Sequence, residues 1–169
     1  MKAMDVIRNA LQVSDQSIMM LADDLRDAPL TAPTPRGGNH PLWVLGHITL
    51  VEGNLPHVIL GEPNPVAHWA PLFAAGTEPK SDAAAYPSFD EVIRTYRDLR
   101  ARNLQLLEQL GEAGLDRPTK SPPRGLEDAL STVGKTFLVI AMHHMNHRGQ
   151  LADARRAIGR KPIFTPGMN

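Results

Sequence analysis

Apolar residues return every three or four positions along the first part of the chain: Ile7, Leu11, Ile18, Leu21 and Leu25, with Ser14 in the same row. That step puts them on one face of an α-helix and predicts a helix ending near Asp27, before Pro29. Three prolines and two glycines in residues 28–39 predict a loop. Pro41 suits the first turn of a second helix, where its missing N–H has no partner to lose. This helix carries Leu42, Leu45, Ile48 and Val51, and Pro56 is expected to end or kink it.

Residues 61–87 are rich in Pro, Gly and Ala and hold no sustained period. So long a connection needs a structural reason, and a crossover along the length of a bundle supplies one. Ser88-Phe89-Asp90-Glu91 has the spacing of a capping box, and Val92, Tyr96, Leu99, Leu106 and Leu110 continue as a helical stripe. Gly111 and Gly114 offer a stop. After a Pro- and Gly-containing loop to Gly125, the last and longest helix is marked by Val133, Phe137, Ile140, Leu151, Ala154 and Ile158. Gly159 sits at its end and Pro162 forbids continuation. No stretch alternates with period two. The expectation is an all-α four-helix bundle with a long crossover between helices 2 and 3, as one domain over residues 1–169.

Composition narrows the function classes. The 169 residues contain no cysteine, which removes a thiol nucleophile, thiolate-ligated zinc and iron–sulfur chemistry, and fits a reducing compartment. Eighteen Lys plus Arg balance eighteen Asp plus Glu, so the electrostatic footprint of a nucleic-acid binder is missing. Arg155, Arg156, Arg160 and Lys161 read as charges that complement a helix C-terminus. The opening Met1-Lys2-Ala3-Met4-Asp5 runs into interspersed charges, so no signal peptide is expected, nor any membrane span or membrane partner. The expected setting is the cytoplasm.

The candidate chemistry lies in histidine. Seven are present, three of them in His143-His144-Met145-Asn146-His147. Two histidines four apart share a helix face, close enough to grip one ion. The spacing resembles that of H-E-x-x-H zinc peptidases, but His144 stands where those need their glutamate base, and the peptidase reading fails there. His47 is the best third ligand, because it sits inside the apolar run Leu42-Trp43-Val44-Leu45-Gly46-His47-Ile48 and needs a polar partner. A core histidine with an ordinary hydrogen bond would satisfy the same pattern. His40, His57 and His68 have weaker contexts. Spacing alone allows a 144/147 pair as readily as a 143/147 pair.

His143 through Gln150, a histidine, three residues, then His147-Arg148-Gly149-Gln150, resembles the last-helix signature of the DinB-like superfamily. Trp43-Val44-Leu45-Gly46-His47 is similar to that family's second-helix landmark, and residues 154–162 to its close. The resemblance implies a bundle with a long crossover and frequent homodimers. It implies metal ligands at His47, His143 and His147, setting His144 aside. Asn146 stands where the family often has another histidine. Arg148 and Gln150 flank the site, and they and Trp43 read as packing and hydrogen-bonding residues.

Three neutral imidazoles leave a metal its charge and an open position. The cofactor expected is a divalent transition metal, zinc or nickel ahead of copper or iron. Relatives named by the resemblance include bacillithiol- and mycothiol-dependent transferases and maleylpyruvate isomerase. They imply a metal-dependent S-transferase or isomerase acting on a low-molecular-weight thiol and an electrophile. The alternatives are a metal-dependent hydrolase and a metal-binding stress-response protein without turnover. No general base or nucleophile beside the triad is evident, so no catalytic side chain is assigned.

Overall fold

The structure is a computed structural model in which residues 1–32 and 38–163 are described. Its helices are α1 (Ala3–Leu25), α2 (Pro41–Leu60), α3 (Ala70–Phe73), α4 (Phe89–Gly114) and α5 (Val133–Ala157). The fold is all-α. Four long helices form the bundle, and α3 is a single turn inside the crossover of residues 61–88. α1 packs mainly on α5, and α2 packs on both α4 and α5. The loop expected over residues 28–39 lies partly outside the described residues, at 33–37. Among the described residues no helix is long and apolar enough to cross a membrane.

The helix starts follow local chemistry. His40 caps α2, its Nδ1 accepting the Trp43 N–H at 3.0 Å ahead of Pro41. The Ser88 hydroxyl accepts the Glu91 N–H at 3.2 Å and starts α4. Gly61 and Gly159, at φ 76° and 81°, follow the ends of α2 and α5 in the left-handed region that favours glycine. Gly111, at φ 60° and ψ −175°, breaks α4 shortly before Gly114 ends it.

Several expectations need correction. Pro56 does not end α2, which runs on to Leu60. Proline cannot donate to the carbonyl four residues back, that of Glu52, but Asn103 Nδ2 donates to that oxygen at 3.0 Å instead. The lower part of α4 turns Arg100, Asn103 and Leu107 inward, leaving Leu106 and Leu110 half-buried. α5, with 25 residues, is slightly shorter than α4 with 26. The basic close of the chain does more than offset a helix dipole. Arg155 is buried and donates to Asp24 at 2.7 Å, while Arg160 reaches Asp24 and Asp27 at 2.9 and 2.6 Å.

The core is divided along the bundle axis. One apolar cluster gathers Ile18, Leu21, Leu45, Ile48, Phe73, Tyr96 and Leu151 among others, and a second gathers Ile7, Leu11, Leu55, Leu107 and Phe137. In every long helix buried polar residues fall between the two: Ser14 and Ser17 in α1, Glu52 in α2, Arg100 and Asn103 in α4, His144 and His147 in α5. The bundle therefore carries a polar layer at mid-height, where burial favours mutual pairing, although Ser17 Oγ, Glu52 Oε1, Arg100 Nε and His144 Nε2 have no hydrogen-bond partner among the described residues.

Candidate metal centre

His47 from α2 meets His143 and His147 from α5 at one side of this layer. His47 and His147 are buried and His143 is half-buried. His143 Nε2 lies 3.2 Å from His47 Nε2 and 3.1 Å from His147 Nε2. Nitrogens held tetrahedrally at about 2.0–2.1 Å from one ion stand roughly 3.3 Å apart, so the spacing is that of a ligand set.

The partners of the other ring nitrogens decide the tautomers. His47 Nδ1 lies 2.7 Å from the Phe73 carbonyl, and an oxygen acceptor there puts the ring proton on Nδ1. His147 Nδ1 faces Gln150 Oε1 at 3.2 Å, which in turn accepts from Asn39 Nδ2 at 3.5 Å. Both Nε2 atoms thus present lone pairs to the same point, the orientation that an outer ring of hydrogen bonds gives to metal-bound imidazoles. His143 Nδ1 is buried and has no hydrogen-bond partner among the described residues. Trp43 stacks on the His47 ring at 4.9 Å and 6°, and its indole N–H donates to Thr77 Oγ1 at 2.9 Å. Gly46 lets α3 approach: a Cβ there would stand 2.2 Å from the Phe73 ring.

Electrostatics favour neutral rings. Burial lowers the pKa of His47 against the opposing Phe73 carbonyl. His147 is lowered by burial and then by His47. His143 falls to about 3 through burial, then through His147 and His47. Three unprotonated imidazoles converging from two helices could hold a divalent ion and leave it an open position.

A sequence-family profile described as the DinB superfamily matches residues 10–151, a span that includes all three histidines. The chain belongs to the DinB superfamily. A search of curated proteins returns no match.

In this DinB superfamily bundle the remaining histidines do other work. His40 caps α2, His57 lies 3.0 Å from the Glu62 carbonyl through Nδ1, and His68 is exposed beside Trp69. His144 points away from the triad into the interior and is fully buried. Its Nδ1 accepts from Arg100 Nη2, and its Nε2 stands 3.3 Å from Glu52 Oε1. Burial first, then the Arg100 charge, holds it well below the ordinary histidine range. Asn146 is exposed and Arg148 half-buried. Sequence reasoning missed the Phe73 carbonyl and the Glu52–Arg100–Asn103 group. One signal for the latter was available: Glu52 is the only Asp, Glu, Lys or Arg in α2.

Proposed function

We propose that this DinB superfamily protein binds a divalent transition metal, zinc or nickel, through His47, His143 and His147. We further propose that it serves as an S-transferase or isomerase using a low-molecular-weight thiol as cosubstrate. The observation that carries this reading is the convergence of the His47 and His147 lone pairs beside His143 Nε2, at 3.1–3.2 Å spacing. An ion bound there would supply a Lewis acid that keeps a coordinated thiol deprotonated. The protein's own part is to orient the imidazoles through Phe73 and Gln150 and to shield one side of the site with Trp43.

Thiol chemistry is favoured over hydrolysis by the placement of carboxylates. A metal-bound thiolate needs no further base, whereas peptidases of the H-E-x-x-H kind use a glutamate to activate water. Glu52 is fully buried and accepts from Asn103 Nδ2 at 2.6 Å, so it is committed elsewhere. The reading places the protein in the cytoplasm, where small thiols stay reduced. It also takes the protein as a homodimer, supported by Leu138, Met142 and Met145, exposed in a row at steps of four and three along α5.

Elemental analysis of untagged protein tests the site, comparing wild type with His47→Ala, His143→Ala, His144→Ala and His147→Ala. Near-stoichiometric metal in wild type and His144→Ala, lost in the other three, is the expected result. A wild type that takes up no metal after reconstitution ends the reading. Loaded protein is then screened with several thiols and electrophiles. Turnover of esters or amides without thiol would favour the hydrolase, and tight metal with no turnover would favour a non-enzymatic metal-binding protein.

A further inference from the structure

Next to the triad, a group of charged and polar side chains joins three helices. Glu52 of α2 and His144 of α5 are 0% exposed, Asn103 and Arg100 of α4 2% and 5%. Arg100 has only donors, so His144 Nδ1 is the acceptor between them and the His144 proton sits on Nε2, which lies 3.3 Å from Glu52 Oε1 without a hydrogen bond to it. Arg100 Nη2 also lies 3.1 Å from Glu52 Oε1 and donates to the Tyr96 hydroxyl at 3.1 Å. Tyr96 in turn donates to Asp15 Oδ1 of α1 at 2.9 Å. Asn103 Nδ2 holds Glu52 twice, at its side chain and its carbonyl. The Arg100–His144 hydrogen bond and the Arg100–Glu52 ion pair therefore tie α5 to α2 through α4, with the neutral imidazole packed beside the pair.

The candidate ligands span the same two helices. His143 immediately precedes His144, and His47 lies five residues before Glu52. Apolar burial above and below is non-directional, so it does not by itself select which polar groups of α5 and α2 face one another. A buried charge pair cannot separate without exposing an uncompensated ion, and fixing register is the best-attested use of such groups. We propose that Glu52, Arg100 and His144 are positioning residues of the metal centre: they fix the register of α5 against α2, and through it the distance from His47 Nε2 to the two α5 imidazoles. This rests on the reading that the triad binds metal.

The test compares wild type, the double variant Glu52→Gln/Arg100→Met, His144→Leu and a control, Arg155→Met. The control removes another buried arginine pair, with Asp24, eight residues beyond His147 on α5. Zinc affinity is measured by competition with a chromophoric chelator, at a temperature where circular dichroism shows each protein folded. The visible spectrum of the cobalt-loaded form reports the ligand geometry. The expected result is zinc affinity about 10–100-fold weaker in the double variant and in His144→Leu, with an altered cobalt spectrum and stoichiometry still reached at saturation. Arg155→Met is expected to melt earlier but to bind zinc unchanged within about twofold. His144→Leu decides the matter if the double variant does not fold. Affinity and cobalt spectrum unchanged in these variants, or an equal loss in Arg155→Met, would overturn the positioning role. A wild type that binds neither zinc nor cobalt removes the metal reading itself, and the positioning role with it.

Discussion

Gly46 is the residue at which the site is most sensitive to a single methyl group. Replacing a helix glycine by alanine ordinarily stabilises by roughly 0.5–1 kcal/mol. Here the added Cβ would meet Phe73 ring atoms at 2.2–2.4 Å, and Phe73 is fully buried with little room to retreat. Gly46→Ala is therefore expected to destabilise by about 1–3 kcal/mol in urea unfolding, the opposite sign. Because the Phe73 carbonyl orients His47, zinc affinity should fall with it. A stabilised variant with unchanged affinity would show that α3 is not held against α2 in this way. The same scale shows what local pattern could reveal. His47 and a histidine pair in α5 stand out in their helical contexts, and the resemblance to the DinB-like motifs is what named His143 and His147 beside His47, the three rings that the structure brings together. The choice between His143 and His144 was not legible from spacing, since both flank the apolar centre of α5. What separates them is Arg100, distant in sequence, which draws His144 inward.

At the scale of elements, the long helices were readable where their signals are local: periodic apolar positions, the Ser88 cap, the closing Gly159. They were misread where a partner from another helix replaces a missing local bond. Pro56 deprives the Glu52 carbonyl of its intrahelical donor, and Asn103 supplies one across the α2–α4 interface. Asn103→Ala should consequently cost about 1–3 kcal/mol, because it leaves that carbonyl and the buried carboxylate short of a donor. Pro56→Ala restores an N–H four residues beyond Glu52. In that background the Asn103→Ala penalty should shrink, leaving a coupling of about 0.5–3 kcal/mol in a double-mutant cycle from chemical denaturation. Strict additivity would mean that Asn103 does not stand in for the missing backbone donor. Gly111 was foreseen as a stop, but not the inward turn of Arg100 and Asn103, eleven and eight residues before it. Those residues look like solvent-facing positions until Glu52 and His144 are placed beside them.

For the molecule as a whole, the decisive feature is the polar layer between the two apolar clusters, which no single helix displays. Metal should stabilise this layer by linkage. At a free zinc concentration a hundred times the dissociation constant, the folded state gains about 2.7 kcal/mol, so chelation by EDTA should lower the melting temperature measurably. The metal-free protein should also respond to acid. Burial depresses His47, His143, His144 and His147, with His143 at about 3. An unfolded chain protonates each of them near pH 6.5. Between these limits the unfolded state binds more protons, so stability is fully present above about pH 6.5 and declines as the pH falls toward 3. Glu52 acts in the opposite sense. Burial raises its pKa against the pull of Arg100 and Asn103, so the folded state holds its proton more firmly than the unfolded chain does. Burial depresses His40 as well, so one raised carboxyl opposes five imidazoles and the net slope should follow the histidines. Urea unfolding of EDTA-treated protein at steps from pH 8 to 5 measures that slope. A plateau above about pH 6.5 followed by a steady fall is expected. A flat profile across pH 7 to 5 would mean that these rings are not kept neutral in the folded bundle. They would then not present the lone pairs on which the metal centre depends.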